Sequence, residues 1–203
     1  MKNIILLTLL ISTNLYAESI FTTHSVPKKF SSFTGNIPYI QGKGFEKINQ
    51  QIQQQLLQDE GVPIDFESDK IYQDHDYLSI RVNQEISGGR TYYRSRYFVI
   101  DLKNKKLMTL DQIIKKYQLS ATNISRQIGE ELEPCILPKT PITEECNSAD
   151  LQYLYRDYAE DPHTIDLKNA DGFYLKKNIL GISFDAGVYS VPFEFDLKTK
   201  KIQ

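Results

Sequence analysis

The sequence predicts an α+β fold: an antiparallel sheet with helices packed on one face, in a single domain. Three observations carry that expectation. Residues alternating between apolar and polar run into Ser87-Gly88-Gly89, and a second strand-like run, Tyr92 to Leu102, follows, so a β-hairpin is expected around the glycines. Two stretches, from Phe45 and from Ile124, place apolar residues at helical spacing. Strand-like runs return at the end of the chain, and strands, helices and strands in segregated blocks belong to α+β folds.

The first element in chain order is a leader. Lys2 supplies a positive start, Ile4 to Ile11 form an apolar run of eight residues, and Leu15-Tyr16-Ala17 offers a small residue before Glu18. This pattern reads as a secretory signal peptide, cleaved near Ala17. The run falls short of the roughly 20 residues that cross a bilayer, so no permanent membrane span is expected. The expected organisation is a signal peptide over 1–17, an N-terminal extension over 18–34 and the α+β domain over 35–203. Localisation is then periplasmic or secreted.

Ile37 to Gly42 read as an extended segment in which Pro38 suits an edge. Phe45, Ile48, Ile52 and Leu56 give an amphipathic helix over 44–58 that Gly61 and Pro63 stop, the five glutamines from Gln50 to Gln55 forming its solvated face. From Lys70 the period becomes two, and Leu78, Ile80, Val82 and Ile86 build the first hairpin strand. Asn104-Lys105-Lys106 turns the chain. Asp111 is placed to cap a short helix running to Tyr117. Ser120 or Thr122 starts the next helix, with Ile124, Ile128 and Leu132 on one face. A short tyrosine-rich helix is expected over 150–158. Three strands close the chain: 172–175, 179–184 and 191–197.

Composition narrows the function classes. Thirteen tyrosines and ten phenylalanines among 203 residues supply ample material for a core, which excludes intrinsic disorder. A net charge of −2 gives no global support to nucleic-acid binding. Removing Lys2 leaves 23 basic residues against 26 acidic ones, or −3. The two cysteines, Cys135 and Cys146, bound a stretch holding Pro138 and Pro141. In an oxidising compartment they are expected to pair, and closing so short a loop stabilises by roughly 2.5–3 kcal/mol in the chain-entropy model. The rival readings, a catalytic nucleophile or a zinc site, lack a base and further ligands nearby.

No nucleophile elbow, zinc-protease helix, phosphate loop or dinucleotide fingerprint appears in the sequence. Asp74-His75-Asp76 alternates across an extended backbone and reads as a solvated turn. No enzyme activity, metal or cofactor is expected, with an unrecognised hydrolase kept as an alternative. Charge distribution says more. Residues 144–161 carry six acids against Arg156 alone, interleaved with Tyr153, Tyr155 and Tyr158. Such a segment suits a partner with a basic surface, steered by its field and anchored by tyrosine. The plain alternative is that the tyrosines cover the core. The hairpin has the opposite sign, with Arg90, Arg94 and Arg96 beside Tyr92 and Tyr93, and suits an anionic glycan.

The order of these motifs resembles the extracellular domain of RsiV-type anti-sigma factors, a domain also found beside peptidoglycan deacetylase domains. The resemblance runs over roughly 35–197. It rests on Ile37 to Gly42, the helix from Phe45, Ser87-Gly88-Gly89, Phe98-Val99-Ile100-Asp101-Leu102 and Lys106-Leu107-Met108-Thr109-Leu110-Asp111. Phe173-Tyr174-Leu175 and Ile182 to Tyr189 fit more loosely. Arg90-Thr91 stands where the family often has Ala-His. The resemblance implies an envelope location and binding to a muramidase such as lysozyme. It carries no anti-sigma role, because neither a membrane span nor a cytoplasmic anti-sigma region is present in the sequence.

The expected function is therefore a non-enzymatic binding protein of the cell envelope, engaging a lysozyme-like or other peptidoglycan hydrolase. The alternative is a module that binds peptidoglycan or another glycan directly. The expected partner surface is Tyr153, Tyr155, Asp157 and Tyr158, beside the loop clamped by Cys135 and Cys146. The alternative surface is the hairpin tip with Gly88, Gly89, Arg90, Tyr92 and Arg94.

Overall fold

One strand, Tyr77–Gly88, buries side chains on both of its faces, and the rest of the fold is arranged around it. The structure, a computed structural model, describes residues 19–58, 61–136, 152–187 and 189–203. The expected signal peptide, the Ala17 cleavage point and Cys146 lie outside the described residues. No helix among the described residues is long and apolar enough to cross a membrane.

The first sheet begins with β1 (Phe21–Ser25) and β2 (Phe33–Ile40), followed by helix α1 (Glu46–Leu56). It continues through β3 (Ile64–Gln73), β4 (Tyr77–Gly88), β5 (Arg90–Asp101) and the short β6 (Lys106–Leu107). Its strands lie side by side in sequence order. β4 and β5 form the expected hairpin, in register from Tyr77 opposite Asp101 to Gly88 opposite Arg90. Gly89 alone turns the tip, at φ +72°, a left-handed conformation that costs glycine little.

Helix α1 follows its apolar spacing and buries Ile48, Ile52 and Leu56 against one face of this sheet. Leu78, Ile80 and Val82 of β4 meet them there, with Phe66 of β3 and Ile37 and Ile40 of β2. Burying each such side chain contributes about 1.5–3 kcal/mol. The buried Asn49 fixes the helix to β2: its carbonyl accepts from Ile40 N at 2.8 Å and its amide donates to Ile40 O at 2.9 Å.

Helices α2 (Leu110–Lys116), α3 (Ala121–Ile136) and α4 (Gln152–Glu160) come next. They lead to β7 (Gly172–Lys176), β8 (Ile179–Asp185), β9 (Ser190–Asp196) and β10 (Lys201–Ile202), which form a separate antiparallel sheet in the order β10-β9-β8-β7. Ile124, Ile128 and Leu132 of α3 and Leu154 of α4 pack on Leu180, Ile182, Phe184 and Phe195 of this sheet. Tyr77 and Val99, on the face of the hairpin turned away from α1, complete that core.

The α+β class therefore holds, with three differences in arrangement. The helices do not share one face: α1 covers the first sheet, while α3 and α4 pack against the second. β2 and β3 run parallel, because α1 carries the chain across between them. A strand also forms earlier than the expected domain start, since β1 pairs with β2 and His24 stacks on Tyr39 with ring centroids 4.1 Å apart. The cap of α2 is Thr109 rather than Asp111. Gln112 N donates to Thr109 Oγ1 at 3.3 Å, and the Gln112 side chain accepts from Thr109 N at 3.2 Å. That reciprocal box satisfies two otherwise unpaired donors, and Asp111 sits inside the first turn.

Candidate interaction surface

The hairpin tip stands in solvent: nothing lies within 4 Å of where a Cβ on Gly89 would be. Period-two alternation sends Tyr92, Arg94 and Arg96 to one face of β5 and Tyr93, Ser95 and Tyr97 to the other. Tyr93 then meets the second sheet. Its ring stacks on Tyr189, with centroids 5.7 Å apart and planes 4° from parallel.

Tyr189 belongs to the turn between β8 and β9. Ala186 N donates to Tyr189 O at 2.8 Å, and Gly187 N donates to Asp185 Oδ1 at 2.8 Å. Gly187, at φ +94°, is the approach point for α4. A Cβ there would lie 2.7 Å from Cγ and Cδ2 of Tyr153, so only glycine admits the ring. The Arg156 guanidinium covers the Tyr153 ring at 5.1 Å and is held by Asp157 Oδ1 at 3.0 Å. Tyr93, Tyr189, Gly187, Tyr153 and Arg156 thus form one continuous strip. Tyr92, Tyr93, Tyr153 and Tyr189 each keep between 43% and 45% of their surface exposed.

Asp171 is tied to Ser190, the residue that follows Tyr189. Its carboxylate accepts from Ser190 Oγ at 3.2 Å. Burial and the neighbouring Asp185 charge hold its pKa above the ordinary carboxylate value, against the opposing pull of Arg94 and Arg96. A cavity of about 390 Å³ opens beside Tyr153, lined by Asp157, Asp161 and Asp185 among others.

The two surfaces read from the sequence as alternatives are therefore joined by the turn at Gly187. Within the first, the residues divide. Tyr153 is exposed on the strip and Asp157 positions Arg156. Tyr155 and Tyr158 turn inward onto the second core, and burial raises both phenols' pKa values. The Tyr158 hydroxyl closes against Gly129 of α3, leaving no room for a side chain there. Within the second surface, Gly88, Gly89, Arg90 and Tyr92 are exposed, whereas Arg94 is half-buried and its charge pulls down the Asp171 pKa. Cys135 lies in the last turn of α3, and its expected partner Cys146 is outside the described residues.

Sequence reasoning named Tyr189 only within the resemblance and Tyr93 only as part of the basic hairpin, and it left Arg156 out of the candidate surfaces. The available signal was an aromatic residue in a turn beside Gly187, where no core needs filling. Among the described residues, no three histidine, cysteine or acidic side chains converge as a metal site. His75 and His163 are exposed and each faces a single aspartate, Asp76 and Asp166.

No protein-family model matches this chain, and no curated protein matches it.

Proposed function

We propose that the chain is an exported, non-enzymatic binding protein of the cell envelope that docks a lysozyme-like or other peptidoglycan hydrolase on the tyrosine strip. Inhibitor, immunity and sensor roles all use this same act of binding. The observation that carries the reading is the strip itself: exposed tyrosines and an arginine held in place before any partner arrives. Tyrosine and arginine dominate the energetics of protein interfaces. Rings already stacked on one another lose little freedom on binding, and that preorganisation favours affinity. The leader sequence and the resemblance to the RsiV-type extracellular domain support the compartment and the partner class.

Calorimetry of residues 18–203 against a panel of muramidases and amidases tests the proposal. Saturable binding at micromolar concentration or tighter is expected, weakened at least about tenfold by Tyr189→Ala or Tyr153→Ala. Absence of binding to every member of the panel overturns it. Direct glycan binding is the second reading, favoured by the exposed Arg90 beside the open ring of Tyr92. Co-sedimentation with purified sacculi supports that reading over the first.

A further inference from the structure

Two cross-strand rungs face each other where the sheets meet. In the first sheet Asp69, Arg81 and Tyr97 are register partners on β3, β4 and β5. In the second sheet Tyr174, Gly181 and Glu194 are register partners on β7, β8 and β9. Because Gly181 has no side chain, the Tyr174 ring lies flat across it and carries its hydroxyl to Glu194 Oε1 at 2.5 Å. Tyr97 tilts against Tyr174, with centroids 5.5 Å apart. Between the rungs lies a cavity of about 420 Å³, within the size range of small-molecule sites. A bulge in β3 between Lys70 and Tyr72 shapes its near wall.

The cavity's charges are uneven. Lys70, Arg81 and Lys176 line it with Asp69, and Glu194, paired with Lys176 outside the lining, brings the balance to one positive charge. Arg81 makes a single-pronged pair, from Nη2 to Asp69 Oδ2 at 2.9 Å. Its Nε is buried and has no acceptor among the described residues, whereas the side chain as a whole keeps 43% of its surface exposed. Lys176 Nζ meets Glu194 Oε1 at 2.5 Å, and that oxygen also serves Tyr174.

We propose that this cavity binds a compact organic monoanion, an acidic sugar, with its carboxylate on Arg81 and Lys176 and its ring against Tyr97. A carboxylate can accept from the exposed part of the Arg81 guanidinium that its single bond to Asp69 leaves unused. The part-exposed Tyr97 ring, backed by the buried Tyr174, offers an apolar platform for a ring of the same size. Asp69 accepts from sugar hydroxyls, and together with the nearby Glu194 it opposes a second negative charge, which selects a carboxylate over a phosphate dianion. The inference does not depend on the tyrosine strip.

Titration of residues 18–203 with glucuronic acid and N-acetylmuramic acid, followed by NMR, tests it, with N-acetylglucosamine and inorganic phosphate as controls. Saturable shifts at the Tyr97 and Tyr174 signals are expected from at least one acid, with the neutral sugar and phosphate at least about tenfold weaker. Arg81→Gln and Lys176→Gln should each weaken the acid about tenfold or more. Lys176→Gln alters a part-exposed lysine and guards against loss of fold in the Arg81 variant. The proposal is overturned by no saturable response to either acid at millimolar concentration, by an equal response to the neutral sugar, or by unchanged affinity in both variants.

Discussion

Ser79 on β4 accepts a hydrogen bond from the backbone N–H of Leu175 on β7, at 3.1 Å and fully buried. β7 is the last strand of the second sheet, and its outer edge would otherwise present this donor to nothing. The bond ties the two sheets together across 96 positions of sequence.

Ser79→Ala should therefore leave a buried N–H unsatisfied and destabilise the protein by about 1–3 kcal/mol. Urea unfolding measures this directly. A change under about 0.5 kcal/mol would show that the junction does not depend on the bond.

Tyrosines two positions apart on α4, Tyr153 and Tyr155, should behave oppositely. Tyr155→Ala and Tyr158→Ala remove half-buried rings from the second core and should lower the melting temperature. Tyr153→Ala should leave stability within about 0.5 kcal/mol and weaken partner binding by about 1–2 kcal/mol. Thermal melts and calorimetry on the three variants separate packing from recognition.

Two carboxyls should pull stability in opposite directions with pH. Asp171 has its pKa raised, chiefly by burial, so its contribution is present at low pH and is lost as pH rises through the folded value. Asp171→Asn should raise the melting temperature at pH 7, with the gain gone below about pH 4. At Glu194 burial acts upward but is outweighed by the hydrogen bonds from Lys176 and Tyr174, which leave the pKa lowered. Its contribution is present above the ordinary glutamate value and is lost as pH falls through the folded one. Glu194→Gln should lower the melting temperature at pH 7, with the difference closing below about pH 4. Melts of both variants from pH 3 to pH 8 decide the signs.

Processing and oxidation are checked together by intact mass. Protein recovered after export should begin at or within a few residues of Glu18, with Cys135 and Cys146 joined. Reduction should lower stability by at most about 3 kcal/mol without abolishing the fold. A retained Met1 or two free thiols would refute the corresponding half.

Local pattern carried the elements whose partners are near in sequence. The β4–β5 hairpin, α1 and α3 stand where alternation and helical spacing put them, because one face of each meets a core. β3 escaped notice before Lys70, since Asp65, Glu67 and Asp69 crowd its outer face and a bulge breaks its alternation. The division of α4 was legible in principle: Leu154, Tyr155 and Tyr158 share a helical face that Tyr153 does not. The stacking of Tyr93 on Tyr189 was not, because nothing local marks two rings 96 positions apart as neighbours.

β4 is shared property. Leu78 and Ile80 belong to the core under α1, while Tyr77 belongs to the core under α3, so neither core can melt while the other keeps its wall. The described chain should consequently unfold as one cooperative unit rather than as two halves in succession. Its slowest-exchanging amides then lie along β4 and the adjoining part of β5, and those of the outer strands β1 and β10 open first by fraying.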